Sequence, residues 1–552
     1  MKNGWQWLPA LCIVAVLILL IGAPLADVFV KAVIIDDRLD FSYALATLAE
    51  PGNGQMIANS LLLGLLVVLV STVWAVSVAY VLSRTELARK RWLDILFLVP
   101  FMTPPYIASM GWILFMQKRG LFAQLFPAFP AGIPAFFSLG GLVLVMSLHI
   151  FPFLMILLKN AMLRIPPSLE EAGAVVGAGP GLRLREIFLP LLTGNYAIGA
   201  LLVFVKTISE YGTPYTLGRR IGFDVFTTHI HRYAAIAPIS FGKAAVLSSV
   251  LVGICLVLWL LQNLITWRHQ YALVSGKGVR QAFKKLSPLE KIAAWGLLTG
   301  IFSLAVGVPY FSVLTTSLIK LRGYGLAAGN FTLQHYWELL GSSEEALEAI
   351  GNSFAVAGLA ATLCALLGTV VVLLVRSLPL RPGKVLEGLS LLPEMLPGIV
   401  LVIGLMLFWN DVYDILPLYN TRAILVVAYT ALFLPYTVQY VTSAFSQINS
   451  NLLAAGRVFG GSPSYIFRRI TCPLLLRGIG AGWMMTFIIS ARELVAPSLI
   501  APPDMLVIST FIMREFEQGS VSLGMCMAVL CILLTTGTLL VLRVAGGKRK
   551  GV

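Results

Sequence analysis

Three carboxylates in this chain stand where carboxylates are expensive. Glu210 and Glu493 fall in apolar stretches, and Glu394 lies in another that prolines interrupt. An ionisable side chain at bilayer depth costs roughly 2.5–3.5 kcal/mol on insertion scales, so it faces a cavity or a partner. Two chemistries fit these acids. Unpaired, they line a watery path and meet a cationic cargo. Paired, they hold helices together, and the chain offers partners for that. Lys206 lies four residues before Glu210, a helical ion-pair spacing, and Arg492 adjoins Glu493.

Metal and covalent chemistry find less support. His229 and His231, near Asp224 and Tyr233, fall short of the three or four ligands that a metal site needs. His149, His269 and His335 are isolated, and Ser168, Ser209 and Ser490 lie near no histidine in sequence. The cysteines (Cys12, Cys255, Cys364, Cys472, Cys526, Cys531) are scattered without a CxxC pair and read as small apolar residues. A phosphate-cradling G-x-x-x-x-G-K-[ST] is missing; Gly276-Lys277-Gly278 and Gly242-Lys243-Ala244 both fail to match it. The chain is therefore not expected to be an enzyme or to hold a cofactor. Any ATP hydrolysis belongs to a separate subunit.

The polar passages say more, because one of them occurs twice. Glu171-Ala172-Gly173, Gly177, Leu184, Ile187, Leu189 and Pro190 return 283 positions later (454 − 171) as Ala454-Ala455-Gly456, Gly460, Phe467, Ile470, Cys472 and Pro473. Each copy predicts a short helix, a bend where glycine removes the side-chain penalty, and a second short helix entering the next apolar run. Such a knob can fit a cleft on a cytosolic partner, with Arg183, Arg185, Arg468 and Arg469 available to partner carboxylates. The copies are unequal: Ala454 replaces Glu171, so the second lacks an acidic handle.

These residues are carried by elements that cross a membrane. The 552 residues are 58% hydrophobic and 12% charged. Apolar runs near 7–30, 56–83, 92–116, 138–160, 193–216, 241–266, 291–318, 351–375, 386–409, 423–443, 475–500 and 520–542 are long enough to span a bilayer as helices. They are too long and continuous for barrel strands. The fold class is an all-α polytopic membrane protein of about twelve transmembrane helices.

A net charge of +15 invites a nucleic-acid reading, but its distribution is topological. Basic clusters at Arg84, Arg89, Lys90 and Arg91, at Lys277, Arg280, Lys284 and Lys285, at Arg376, Arg381 and Lys384, and at Lys548, Arg549 and Lys550 mark one side. Asp36, Asp37, Asp40, Glu344, Glu345, Glu348, Asp411 and Asp414 mark the other. That is the positive-inside pattern, with both termini cytoplasmic. No nucleic-acid partner is expected. Lys2 and the apolar run ending Ala23-Pro24-Leu25-Ala26 imitate a signal peptide, but eleven further runs favour an uncleaved first span.

The repetition extends beyond the loops. Asn59-Ser60, Pro100 and Pro104 match Asn352-Ser353, Pro393 and Pro397 at an offset of 293 (352 − 59). Phe151-Pro152, Glu210 and Pro214 match Leu434-Pro435, Glu493 and Pro497 at 283 (493 − 210). The chain divides into 1–270 and 271–552, joined by a polar linker at about 267–290. Six spans per half make the repeats parallel, not inverted. Pro100, Pro104, Pro105, Pro393 and Pro397 break the third and ninth spans, and broken helices recur along transport paths. Glu210, Glu493, Glu394, Pro104 and Pro397 are the candidate pathway residues.

Both polar passages, at 161–192 and 450–475, resemble the EAA loop of ABC importer permeases: Glu-Ala-Ala, a Gly six positions after the Glu, and an apolar-Pro ending. The whole chain is similar to the fused twelve-span permeases of bacterial binding-protein-dependent importers, type I in layout and closest to the ferric-iron type. That similarity rests on the paired loops, the Asn-Ser openings and the run Ser209-Glu210-Tyr211-Gly212-Thr213-Pro214. It implies a multi-pass protein of the bacterial cytoplasmic (inner) membrane. Its partners would be two copies of a cytosolic ATP-binding subunit and a periplasmic binding protein that delivers substrate. The resemblance carries an ATPase-coupling role to Glu171, Ala172, Gly177 and Pro190, and to Ala454, Ala455, Gly460 and Pro473. Thiamine and phosphonate permeases share the layout. A secondary transporter driven by an ion gradient would also use repeats and broken helices, but it leaves two docking loops unexplained. An intramembrane enzyme would need a catalytic group that nothing here proposes.

Overall fold

The structure, a computed structural model, describes residues 7–35, 38–268 and 283–547. Asp36, Asp37, His269, Gly276, Lys277, Gly278, Arg280, Lys548, Arg549, Lys550 and most of the expected linker lie outside that range. Hydrocarbon offers a backbone no hydrogen-bond partners, so uninterrupted apolar runs close their bonds internally as helices. These are α1 (Leu8–Val33), α2 (Asn53–Arg84), α3 (Trp92–Met102), α4 (Pro105–Met116), α5 (Leu139–Arg164), α6 (Gly181–Ser209) and α7 (Phe241–Ile265). The second half supplies α8 (Pro288–Leu318), α9 (Glu344–Ser377), α10 (Leu380–Met395), α11 (Gly398–Asp411), α12 (Arg422–Ser446), α13 (Pro463–Ala491) and α14 (Val521–Thr538). Counting each bent pair, α3 with α4 and α10 with α11, as one span gives twelve candidate spans among the described residues. They correspond to the twelve apolar runs. The only strands among those residues form a two-residue hairpin, Ile34–Ile35 with Arg38–Leu39.

The two bent pairs turn by 87° and 109°. Proline is the cause, because its ring pushes the preceding residue out of helical geometry. Thr103 has ψ 135° before Pro104, and Leu396 has ψ 151° before Pro397; the prolines themselves are extended, with ψ 131° and 127°. The breaks therefore fall at the same place in each repeat.

Contacts divide the chain into two units that do not coincide with the two sequence halves. One unit comprises Pro51–Thr228 and Gly253–Leu333; the other comprises Met1–Glu50, His229–Val252 and Gln334–Val552. In the first, α2, α5 and α6 pack around one another; in the second, α9, α12 and α13 do the same. Small residues let these backbones approach, as is usual between membrane helices. A Cβ on Gly199 would meet Leu154 Cδ1 at 2.5 Å, and one on Gly482 would meet Thr437 Cα at 3.0 Å. These pairs are equivalent, since 482 − 199 and 437 − 154 both equal 283.

The opening span of each half is lodged in the unit built mainly from the other half. In one unit α8 packs on α4, where a Cβ at Gly111 would lie 2.6 Å from the Pro309 carbonyl oxygen. Thr103 and Tyr310 share a hydroxyl hydrogen bond of 2.7 Å there, and Trp92 stacks on Trp295. In the other unit α1 packs on α11, with Gly404 against the Pro24 carbonyl and Lys31 paired with Asp411 at 2.7 Å. Gly111→Val forces two backbones apart and is expected to destabilise the fold by about 1–3 kcal/mol. Thermal unfolding in detergent checks this, with Gly358→Val, which meets nothing within 4 Å, as the unperturbed control.

Candidate functional site

The two polar loops fold alike. The short helices Pro167–Val175 and Ser450–Val458 each end at a glycine in left-handed conformation, Gly177 (φ 82°) and Gly460 (φ 76°). Such a glycine reverses the chain and lets the next amides satisfy the last carbonyls. Gly177 N–H donates to Ala174 O at 3.0 Å and Ala178 N–H to Gly173 O at 2.9 Å. In the second loop Gly460 N–H donates to Arg457 O and Gly461 N–H to Gly456 O, both at 3.0 Å. The returning helix packs against the first across a glycine: a Cβ would lie 3.0 Å from Ile187 Cδ1 at Gly173 and 3.1 Å from Ile470 Cδ1 at Gly456. The knob foreseen from sequence is thus a closed helix–turn–helix. Its second arm runs on as the start of α6 or α13, with Pro190 and Pro473 near the first turn after a π-helical segment.

The loops are anchored to the spans beside them. Arg84, at the end of α2, donates to Ile165 O at 3.4 Å before the first loop and covers the Phe188 ring after it at 5.0 Å. In the second half Arg376, near the end of α9, covers Phe445 at 5.5 Å.

At each turn two adjacent apolar residues are almost fully exposed. Val175 and Val176 are 87% and 82% exposed, and the equivalent Val458 and Phe459 are 83% and 89% exposed. Glu171, Ala172, Ala454 and Ala455 are exposed on the same short helices. Sequence reasoning singled out the Glu-Ala-Ala positions and missed these tips. The available signal was two adjacent apolar residues directly before the turn glycine, recurring at 283 (458 − 175).

The candidate pathway acids have a different environment from the one their spacing implied. The apolar run expected at 193–216 was read as one span, but α6 ends at Ser209 and α13 at Ala491. Glu210 and Glu493 follow these ends. The Glu210 carboxylate accepts the Thr213 amide at 3.1 and 3.0 Å, and Glu493 Oε1 accepts the Val495 amide at 2.9 Å. Lys206 is not the hydrogen-bonding partner of Glu210. Each carboxylate instead caps the turn that resumes after the break, as side-chain acceptors do at helix N-termini.

The backbone at the same positions ties in the outer short helices Phe226–Ala235 and Ile508–Glu517. Thr227 Oγ1 donates to Glu210 O at 2.8 Å, and Ser509 Oγ donates to Glu493 O. The Asn-Ser openings complete the join. Ser60 Oγ accepts the Phe226 amide at 2.9 Å, and Ser353 Oγ accepts the Ile508 amide at 2.7 Å. Asn59 donates to Asp224 O at 3.1 Å, and Asn352 donates to Leu506 O at 3.0 Å. Pro104 and Pro397 sit at the bends already described. Glu394 is exposed near the end of α10 and accepts the Gln439 side-chain amide. His229 and His231 are buried in the outer helix Phe226–Ala235. Among the described residues no three His, Cys, Asp or Glu side chains converge on a metal position.

Comparison with known proteins agrees with the repetition. The family model of the binding-protein-dependent transport system inner membrane component matches residues 71–268 and again residues 365–545. A Fe(3+)-transport system permease protein of Haemophilus influenzae is 24% identical over 531 residues, covering 94% of this chain and 95% of that protein. A ferric transport system permease protein of Actinobacillus pleuropneumoniae is 25% identical over 501 residues, covering 88% and 70%. A solved bacterial ABC transporter that imports the acidic polysaccharide alginate aligns over 47% of this chain and 96% of its own, at 17% identity and a TM-score of 0.35.

Valine at the two turn glycines adds about 1–2 kcal/mol of left-handed strain at each and reshapes the knobs without touching the spans. The double variant Gly177→Val, Gly460→Val is expected to reach the membrane at wild-type levels and to transport nothing. Membrane immunoblotting beside an uptake assay checks both halves of that statement.

Proposed function

We infer the function of this chain from the family to which it belongs: it is a binding-protein-dependent transport system inner membrane component, with that domain present twice. It is the multi-pass permease of an ABC importer. Its two domains, 1–270 and 271–552, act as a fused pair, and both termini lie in the cytoplasm. Two copies of a cytosolic ATP-binding subunit dock on the loops 161–192 and 450–475. A periplasmic binding protein hands cargo to the opposite face, and the permease itself holds no cofactor. The observation that carries the docking reading is the pair of glycine-turned knobs with exposed apolar tips, Val175-Val176 and Val458-Phe459. Water-exposed apolar pairs of this kind become favourable when a partner cleft covers them.

The cargo is ferric iron. Two relatives named for ferric transport, each matched over most of this chain, support that reading. The second loop, with Ala454 in place of the glutamate, docks through apolar contact in which Phe459 offers a larger side chain than Val176. On docking, ATP-driven closure pulls α6 and α13 directly, because the second arm of each knob is continuous with its span.

Uptake of radiolabelled ferric iron, with thiamine as a control cargo, tests the assignment in cells with and without this gene. Loss of iron uptake alone is expected; unchanged iron uptake removes iron and leaves the permease class. Glu210 and Glu493 are proposed to meet the cation as it passes. Glutamine at each keeps an oxygen acceptor for the Thr213 or Val495 amide and removes the charge. Glu210→Gln with Glu493→Gln should therefore keep the wild-type melting temperature while slowing iron uptake at least about tenfold, roughly the loss of one charged hydrogen bond. Wild-type uptake would confine both acids to holding the helix breaks.

A further inference from the structure

One cavity lies apart from the loops and the acids. It measures about 770 Å³ and is walled by Trp112, Phe115, Phe122, Phe126, Phe136 and Phe311 on segments of a single unit. Trp112 and Phe136 stack with ring centres 5.5 Å apart, and Phe115 meets Phe122 edge-on at 5.8 Å. Gly140 and Gly141 of α5 and Gly307 of α8 also line the cleft and take up little of its space. Five of the six aromatic rings come from the segment between Pro104 and Phe151, over which the repeat offset falls from 293 to 283. The first half is thus ten residues longer there (293 − 283), and Phe122, Phe126 and Phe136 lie between α4 and α5 in that longer stretch.

The position follows from the direction of the spans. α5 enters the first polar loop at its C-terminal end, so its Gly140 end lies on the opposite side of the membrane. From the end of α8 at Leu318 back to Ser303, the deepest lining residue on that helix, is 15 residues (318 − 303), about 22 Å of helix. Half of a hydrocarbon core of about 30 Å is about 15 Å, so a cleft of that depth takes in the leaflet on that side and reaches to or past the midplane. The solvent at hand for an apolar cleft on a membrane-spanning unit is lipid.

Basic residues adjoining the lining segments would select which lipid. Lys118 and Arg119 form the exposed turn between α4 and the helix Leu121–Leu125, both of which line the cleft. Arg322, just beyond α8, reaches the same turn and donates to Gln117 Oε1 at 3.2 Å. Gln124 ties the two segments together again, accepting the Leu326 amide at 2.9 Å. None of Lys118, Arg119 and Arg322 has an acidic partner among the described residues. The charge runs against topology, because basic residues concentrate on the cytoplasmic side. In the second half the end of α11 and the turn after it carry Asp411 and Asp414 instead.

We propose that this cleft binds one anionic diacyl phospholipid of the leaflet opposite the coupling loops, with its acyl chains among the aromatic rings and its phosphate at Lys118, Arg119 and Arg322. Only the choice of leaflet rests on the permease reading; binding itself does not require ATPase or cargo. The site differs from general lipid contact in having a headgroup preference and a single occupant. It would hold α4 against α8, the contact through which an opening span joins the unit of the other half.

The test uses the full-length protein reconstituted in phosphatidylcholine nanodiscs with and without phosphatidylglycerol, followed by release into detergent and native mass spectrometry. One phosphatidylglycerol retained per chain, with phosphatidylcholine washed away, is expected. The variant Lys118→Gln, Arg119→Gln, Arg322→Gln removes the headgroup contacts at exposed positions. Gly307→Leu fills the cleft at a site where the added Cβ meets only Ser303, at 3.6 Å. Each should reduce retention about tenfold or more, given the usual contribution of each basic residue near an anionic headgroup, while melting as wild type in phosphatidylcholine. Equal retention by the wild type and both variants, or phosphatidylcholine held as firmly as phosphatidylglycerol, would overturn the proposal.

Discussion

A helix that stops within an apolar stretch leaves amides and carbonyls that hydrocarbon will not satisfy. This chain stops two helices in that way, at Ser209 and Ala491, and each stop is completed by a glutamate within two residues, Glu210 directly and Glu493 after Arg492. The carboxylates of Glu210 and Glu493 take the amides that follow, and their carbonyls take the hydroxyls of Thr227 and Ser509. Ser60 and Ser353 then accept the first amides of the outer short helices. A polar join is thereby built at the same place in each repeat. It connects the span that follows each polar loop to the span that the Asn-Ser pair opens. The far ends of α6 and α13 are thereby joined to the short helices Phe226–Ala235 and Ile508–Glu517 through hydrogen bonds.

Much of this was legible in sequence, and the reason is energetic. Burial of about twenty apolar residues per span dominates the free energy of insertion, so composition alone locates the twelve runs. Proline has a strong local effect on its predecessor, so the breaks at Thr103-Pro104 and Leu396-Pro397 could be read from the paired prolines. The turn glycines were legible because left-handed backbone excludes most side chains.

What escaped depends on residues far apart in the chain or on competition between close partners. The spacing of Lys206 and Glu210 suits an ion pair, but the chain leaves helical geometry at Glu210, which has ψ 136°. An amide three residues on, fixed by its own turn, then becomes the better placed donor. The lodging of α1 against α11 and of α8 against α4 depends on Gly404 facing Pro24 and Gly111 facing Pro309. Nothing local distinguishes those glycines from others in spans. The exposed tips at Val175-Val176 and Val458-Phe459 escaped because apolar pairs in a largely apolar sequence carry no contrast until the fold places them outside the membrane.

Cross-linking from single cysteines placed at Val176 and at Phe459, in a protein otherwise free of cysteine and combined with its ATP-binding subunit, tests the central claim most directly. Adducts from both positions, changing in yield between nucleotide-free and ATP-bound states, are the predicted result. Failure of both tips to cross-link while the complex stays assembled would contradict the docking of this permease through its two glycine-turned loops.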